Sequence, residues 1–92
     1  MAISEEQLDR LRRVKTRHES ELMRKANVVG VGVGFRRRSG KPTDEPAIVV
    51  SVTHKVPRSL LDAGDVVPRQ LDGVPVDVEA VGSLRALDTG AG

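Results

Sequence analysis

Hydrophobic and polar positions along the chain change period at Asn27. Before it, Leu8, Leu11, Val14, Leu22 and Ala26 fall on one stripe at helical spacing, with Lys15 and His18 inside the same stripe. Ser4 stands ahead of the stripe as an N-cap, and Gln7 three residues later completes a capping-box signature. No Gly or Pro interrupts the stretch from there to Ala26. Early acids and the late Arg24 and Lys25 suit the helix dipole. The pattern predicts a helix from Ser4 to about Ala26. Its apolar stripe is narrow and broken, so this helix lies on a surface and is not enclosed by a core.

From Asn27 the period becomes two. The run N-V-V-G-V-G-V-G-F places Val29, Val31, Val33 and Phe35 on one face of a strand. The other face carries Val28, Gly30, Gly32 and Gly34, nearly bare of side chains. Glycine weakens a strand, so three on one face point to close approach by another backbone, helix or chain. A polar loop, R-R-R-S-G-K-P-T-D-E-P, follows. Ala47 to Val56 is a second strand, with Ile48, Val50 and Val52 on one face, and the two strands are expected to form an antiparallel hairpin with a long basic loop. Arg58 to Val67 reads as one helical turn and an extended segment. Asp72-Gly73 is a turn signal. Val74 to Val81 alternates a third time, with Asp77 and Glu79 directed outward.

These elements give an α+β expectation. It is a small two-layer domain with one long N-terminal helix packed on a three-stranded or slightly larger, mostly antiparallel sheet. The whole is one domain: helix at 1–26, glycine-strand β-rich unit at 27–82, and a flexible tail at 83–92. The helix is expected to settle over Gly30, Gly32 and Gly34, or else that face receives a helix or strand from another chain. Three strands leave open edges, which strengthens the second option.

Composition narrows the function more than the fold. Ninety-two residues make a thin core. Phe35 is the only aromatic residue, so the stacking platforms that hold single-stranded nucleic acid are missing. With no cysteine there is no disulfide framework, thiolate zinc site or Cys nucleophile. The first residues lack the basic-then-apolar run of a signal peptide, and no stretch is apolar enough for a membrane span. A soluble cytoplasmic protein is the default expectation. The net charge of +2 is unevenly laid out: residues 27–58 carry six Lys/Arg against two Asp/Glu, whereas residues 59–92 carry two against six. A basic middle and an acidic end favour self-association or internal docking over a dedicated polyanion binder.

No catalytic constellation is visible. G-V-G-V-G-F has neither phosphate-loop spacing nor a following helix. His18 and His54 lack a second ligand at metal-binding spacing, and no nucleophile elbow surrounds a serine, although Ser51, His54 and an Asp remain unexcluded as a triad by chain order alone. Asp62/Asp65 and Asp77/Glu79 have no neighbouring apolar pocket to raise a carboxyl pKa, and both pairs are read as solvated. Arg36, Arg37, Arg38 and Lys41 form a basic patch, read first as a solvated hairpin end and second as a phosphate or acidic-partner contact.

The ordered series N-V-V-G-V-G-V-G-F, E-P-A-I-V-V-S-V, K-V-P, V-P-R-Q-L-D-G-V-P-V-D-V and V-G resembles a known pattern. It is similar to the segment that precedes the trypsin-like serine protease domain in a family of bacterial and plant proteins that includes the narrow-leaf proteins. The resemblance spans about Ala26 to Gly82. It implies that hydrolase chemistry belongs to the following domain, so no catalytic residue carries over to this chain. The start at Met1 and the Gly-rich end favour a free-standing version of that segment.

The leading expectation is therefore a non-enzymatic protein-interaction or assembly domain, without cofactor or metal. It self-associates or docks a partner through Leu8, Leu11, Leu22, Gly30, Gly32 and Gly34. The alternatives are an accessory chaperone or inhibitor of a trypsin-like protease domain in trans, and an electrostatic nucleic-acid or polyanion binder using Arg10, Arg13, Arg17, Arg36, Arg37 and Arg38.

Overall fold

The computed structural model describes residues 4–82. The expected tail at 83–92 lies outside the described residues. Helix α1 spans Glu5–Met23, and its start is the predicted capping box: Gln7 N–H donates to Ser4 Oγ at 3.2 Å, and Ser4 N–H donates to Gln7 Oε1 at 3.2 Å. The helix stops three residues short of Ala26. Arg24 is the C-cap, and Asn27 turns the chain into the sheet at φ 68, a left-handed conformation that Asn tolerates.

Strand β1 runs Val28–Arg38 and β2 runs Lys41–Val52, paired antiparallel. The long basic loop expected between them is absent. Ser39 and Gly40 both have positive φ, 52 and 78, as a two-residue type I′ hairpin requires, and Arg38 pairs directly with Lys41. The basic residues thus sit within strands. β2 also ends earlier than the alternation suggested, at Val52.

Residues 53–69 then cross the sheet, with two short 3-10 turns at Arg58–Leu60 and Ala63–Asp65. A two-residue strand β3, Gln70–Leu71, leads through Asp72-Gly73 into β4, Val74–Ala80. The turn is again type I′ by its φ values of 51 and 81. The crossover brings β4 beside β2 in parallel, with Ile48 opposite Val76 and Val50 opposite Val78. The sheet is therefore four-stranded and mixed, ordered β1-β2-β4-β3, where the alternation had suggested three mostly antiparallel strands.

One core fills the space between α1 and the sheet. Leu11, Val14 and Leu22 of the helix meet Ile48, Val50 and Val52 of β2 and Val74 of β4, all buried. Val31 and Val33 of β1 pack against this cluster, as do Val76 and Val78 of β4. A register shift between Val28 and Gly30 brings Val28 to the same side. Phe35, the one aromatic residue, remains 37% exposed, so aliphatic packing alone forms the core.

Leu22 is 1% exposed, and Leu22→Ala removes methyl groups that no neighbour replaces. We expect a loss of about 2–5 kcal/mol, read as a lower urea midpoint by circular dichroism at unchanged slope. Leu60, 74% exposed on the crossover, should change stability by no more than about 0.5 kcal/mol when cut to Ala.

Candidate functional site: the glycine face and the outer edge of β1

The helix takes the valine face of β1, not the glycine face. Period two requires this once Val31 and Val33 face Leu11, Val14 and Leu22, because Gly30, Gly32 and Gly34 then point away. The expectation of a helix seated on the glycines is overturned. The valine face offers apolar area to bury, which the glycine face does not.

Across the glycine face, Gly30 lies opposite Ser51, Gly32 opposite Val49 and Gly34 opposite Ala47. A Cβ added at Gly32 would meet nothing within 4 Å, and one at Gly30 would touch Ser51 Cβ at 3.7 Å. Only at Gly34 is the space taken, by Val49 Cγ2 at 3.1 Å. Among the described residues, nothing approaches Gly32 closely enough to require a glycine there.

The same face is curled. Arg37 N–H donates to Asp77 Oδ2 at 3.1 Å, and Arg37 Nη2 lies 3.5 Å from Glu79 Oε1. β1 and β4 are not neighbours, since β2 lies between them. In a flat sheet they would stand about 9.6 Å apart, twice the strand spacing. The reach is closed by bending the hairpin end over the glycine side, at the register shift between Phe35 and Arg37. Thr43 secures the bend: its hydroxyl donates to Arg36 C=O at 2.6 Å and accepts from Glu45 N–H at 3.2 Å. Ala47, on the glycine side, has no exposed surface as a result. Asp77 and Glu79, read from the sequence as solvated outward acids, hold this clasp.

The basic patch is partly neutralised. Arg36 pairs with Glu45 at 3.3 Å and Arg37 with Glu79, while among the described residues Arg38 and Lys41 form no salt bridge. Of the helix positions offered as contacts, Leu11 and Leu22 are buried in the domain's own core and Leu8 is half-buried. The outer edge of β1 is different. β1 pairs with β2 on one side and with no other strand among the described residues, which leaves an 11-residue edge beside the glycine strip.

The histidines have structural neighbours. His54 Nδ1 is 3.1 Å from the hydroxyl of Thr53, the residue beside it in the chain. His18 Nε2 lies 3.0 Å from Asp72 Oδ2, with Arg17 Nη1 3.2 Å from the same oxygen. Arg10 Nη2 donates to Asp72 C=O at 3.1 Å. Three side chains of α1 thus grip one turn of the sheet. The His18 hydrogen bond, with help from Arg17, holds the Asp72 carboxyl below its usual value. Asp72 was legible as a turn residue, but its partners were not. Among the described residues, no group of three or more His, Cys, Asp or Glu is placed to hold a metal, and no helix is long and apolar enough to cross a membrane.

One capped helix over a curled, mixed sheet defines an α+β domain with an open small-residue face. The chain belongs to the NARROW LEAF 1 N-terminal domain family, whose model matches residues 5–81. The match takes in α1 and all four strands. No curated protein matches the chain.

The Asp72 grip should be pH-dependent. Because the folded-state pKa is depressed, its stabilisation is complete above the unfolded carboxyl value near 3.8 and is lost as pH falls through the lower folded value. Asp72→Asn keeps a residue that tolerates the positive φ and removes the charge. The variant should be less stable than the native chain at pH 5–7, and the gap should shrink below about pH 4, measured by urea denaturation across that range.

Proposed function

We propose that this domain is a non-catalytic protein-docking module, working through the glycine face and the outer edge of β1. The observation that carries this reading is Gly32. Among the described residues no packing calls for a glycine there and no second strand pairs with the outer edge of β1, yet Gly32 is centred in a strip of three glycines along that strand. A backbone approaching from another molecule would use both features, adding to the edge and lying flat against the strip. The occupant is a second copy of the chain or a partner protein.

A second reading is favoured by the family match. The family is described as an N-terminal domain, and the segment that Ala26 to Gly82 resembles precedes a trypsin-like protease domain. In that reading the module acts as an accessory to such a domain, in the same chain or in trans. A neighbouring reading frame encoding a protease domain without this segment would favour the trans form.

Gly32→Leu separates docking from folding. Placing a side chain where nothing stands within 4 Å should leave the circular dichroism spectrum intact and the thermal midpoint unchanged or slightly raised, since Gly weakens strands by about 0.5–1 kcal/mol. The native chain should show a mass that rises with concentration in light scattering on a sizing column, and Gly32→Leu should remain monomeric. Equal masses for the two, at every concentration and salt, would remove self-association from the reading.

A further inference from the structure

On the helix side of the sheet, away from the glycine face, the crossover between β2 and β3 stands off from the strands. It leaves a cleft of about 280 Å³. Val52, Val76 and Val78 of the sheet line it, together with Val56, Leu61 and Val67 of the crossover. The crossover is tied to the end of α1. Lys25 Nζ donates to Gly64 C=O at 2.6 Å, and Ala26 N–H donates to Asp65 Oδ1 at 3.0 Å. The cleft is thus a feature of the folded domain.

Its charged groups are nearly all of one sign. Lys55, Arg58 and Arg69 line the cleft, and the one acid there, Asp65, already accepts the Ala26 amide. Arg58 Nη2 donates to Val67 C=O at 3.2 Å, which anchors its guanidinium beside the apolar wall. Among the described residues, Lys55, Arg58 and Arg69 form no salt bridge.

Apolar lining with unpaired cations suits a ligand that combines aliphatic groups with carboxylates. The volume lies just under the ~300 Å³ at which drug-sized sites begin, room for an aliphatic side chain or two and not for a large cofactor. The cations come from three separate places in the chain, at 55, 58 and 69. Several carboxylates spaced along a backbone answer that arrangement better than a single headgroup does.

We infer that this cleft docks a short acidic peptide segment of a partner protein, with aliphatic side chains against Val52, Val76 and Val78 and carboxylates on Lys55, Arg58 and Arg69. The site is independent of the glycine face, which lies on the opposite side of the sheet. Either surface can fail without the other.

The test uses the full chain, isotope-labelled for NMR, titrated at low salt with acetyl-Glu-Asp-Leu-Leu-Asp-Glu-amide. Saturable shifts centred on Val56, Leu61, Val67 and Val76 are expected, with a dissociation constant on the order of 0.1 mM. Arg58→Gln with Arg69→Gln should weaken binding by about tenfold or more with an unchanged dichroism spectrum, and added salt should weaken it further. No shifts at millimolar peptide, or equal binding of a peptide with Lys in place of every acid, would overturn the inference. So would decanoate binding as tightly as the peptide, which would make the site one for a single-carboxylate amphiphile. A silent native chain beside a binding-competent Leu84→Ser/Leu87→Ser variant would assign the cleft to the chain's own residues 83–92, and the partner segment would be discarded.

Discussion

The structure depends on β2 being bonded on both sides. It pairs antiparallel with β1 and parallel with β4, and its Ile48, Val50 and Val52 form the buried centre of the core. Every other element takes its place from that strand. α1 lies across β1 and β2, where Leu11, Val14 and Leu22 cover Ile48, Val50 and Val52 together with the inward valines of β1. A crossover, and not a tight hairpin, joins β2 to the last two strands because β4 has to run in the same direction as β2. With only eight buried hydrophobic residues in the described chain, loosening this strand would leave little to hold the remainder.

The sheet assigns different work to its two faces. The helix side is apolar and filled, except where the crossover stands away from β4. The glycine side is closed at one end by Arg37 on Asp77 and Glu79 and left open along Gly30 and Gly32. This asymmetry explains why the helix-facing side of β1 carries valines, which have apolar surface to bury there. A side chain at Gly34 would press on Val49, whereas at Gly32 there is space, so one sequence motif meets two distinct environments within three residues.

Much of the fold was legible in the sequence because local rules carried it. Ser4 and Gln7 announced the helix start, Asp72-Gly73 announced a turn, and period-two alternation put Val31 with Val33 on one face of β1 and Ile48 with Val50 on one face of β2. What escaped depended on non-local geometry. Ser39-Gly40 was hidden among charged residues that resembled a loop, although two residues with positive φ are all a tight hairpin needs. The parallel pairing of β2 with β4 escaped because its crossover holds no long helix, the usual sign of such a connection. The salt links of Asp77 and Glu79 depended on a curl that period-two reading cannot express. For the docking surface, the glycine strip was visible from residues alone, but which face the helix would take was not.

The grip of α1 on the Asp72 turn has a consequence for the order in which the chain becomes stable. Arg10, Arg17 and His18 bind a residue 54 to 62 positions later, and Val74 of the final strand completes the core under the helix. Contacts of such sequence separation are slow to close and confer nothing until both ends are present. A nascent chain emerging from a ribosome therefore carries α1 and the β1–β2 hairpin for some time with Leu11, Val14 and Leu22 incompletely covered. Not until β4 is synthesised does the first helix acquire its last partner, so the domain matures in one late step.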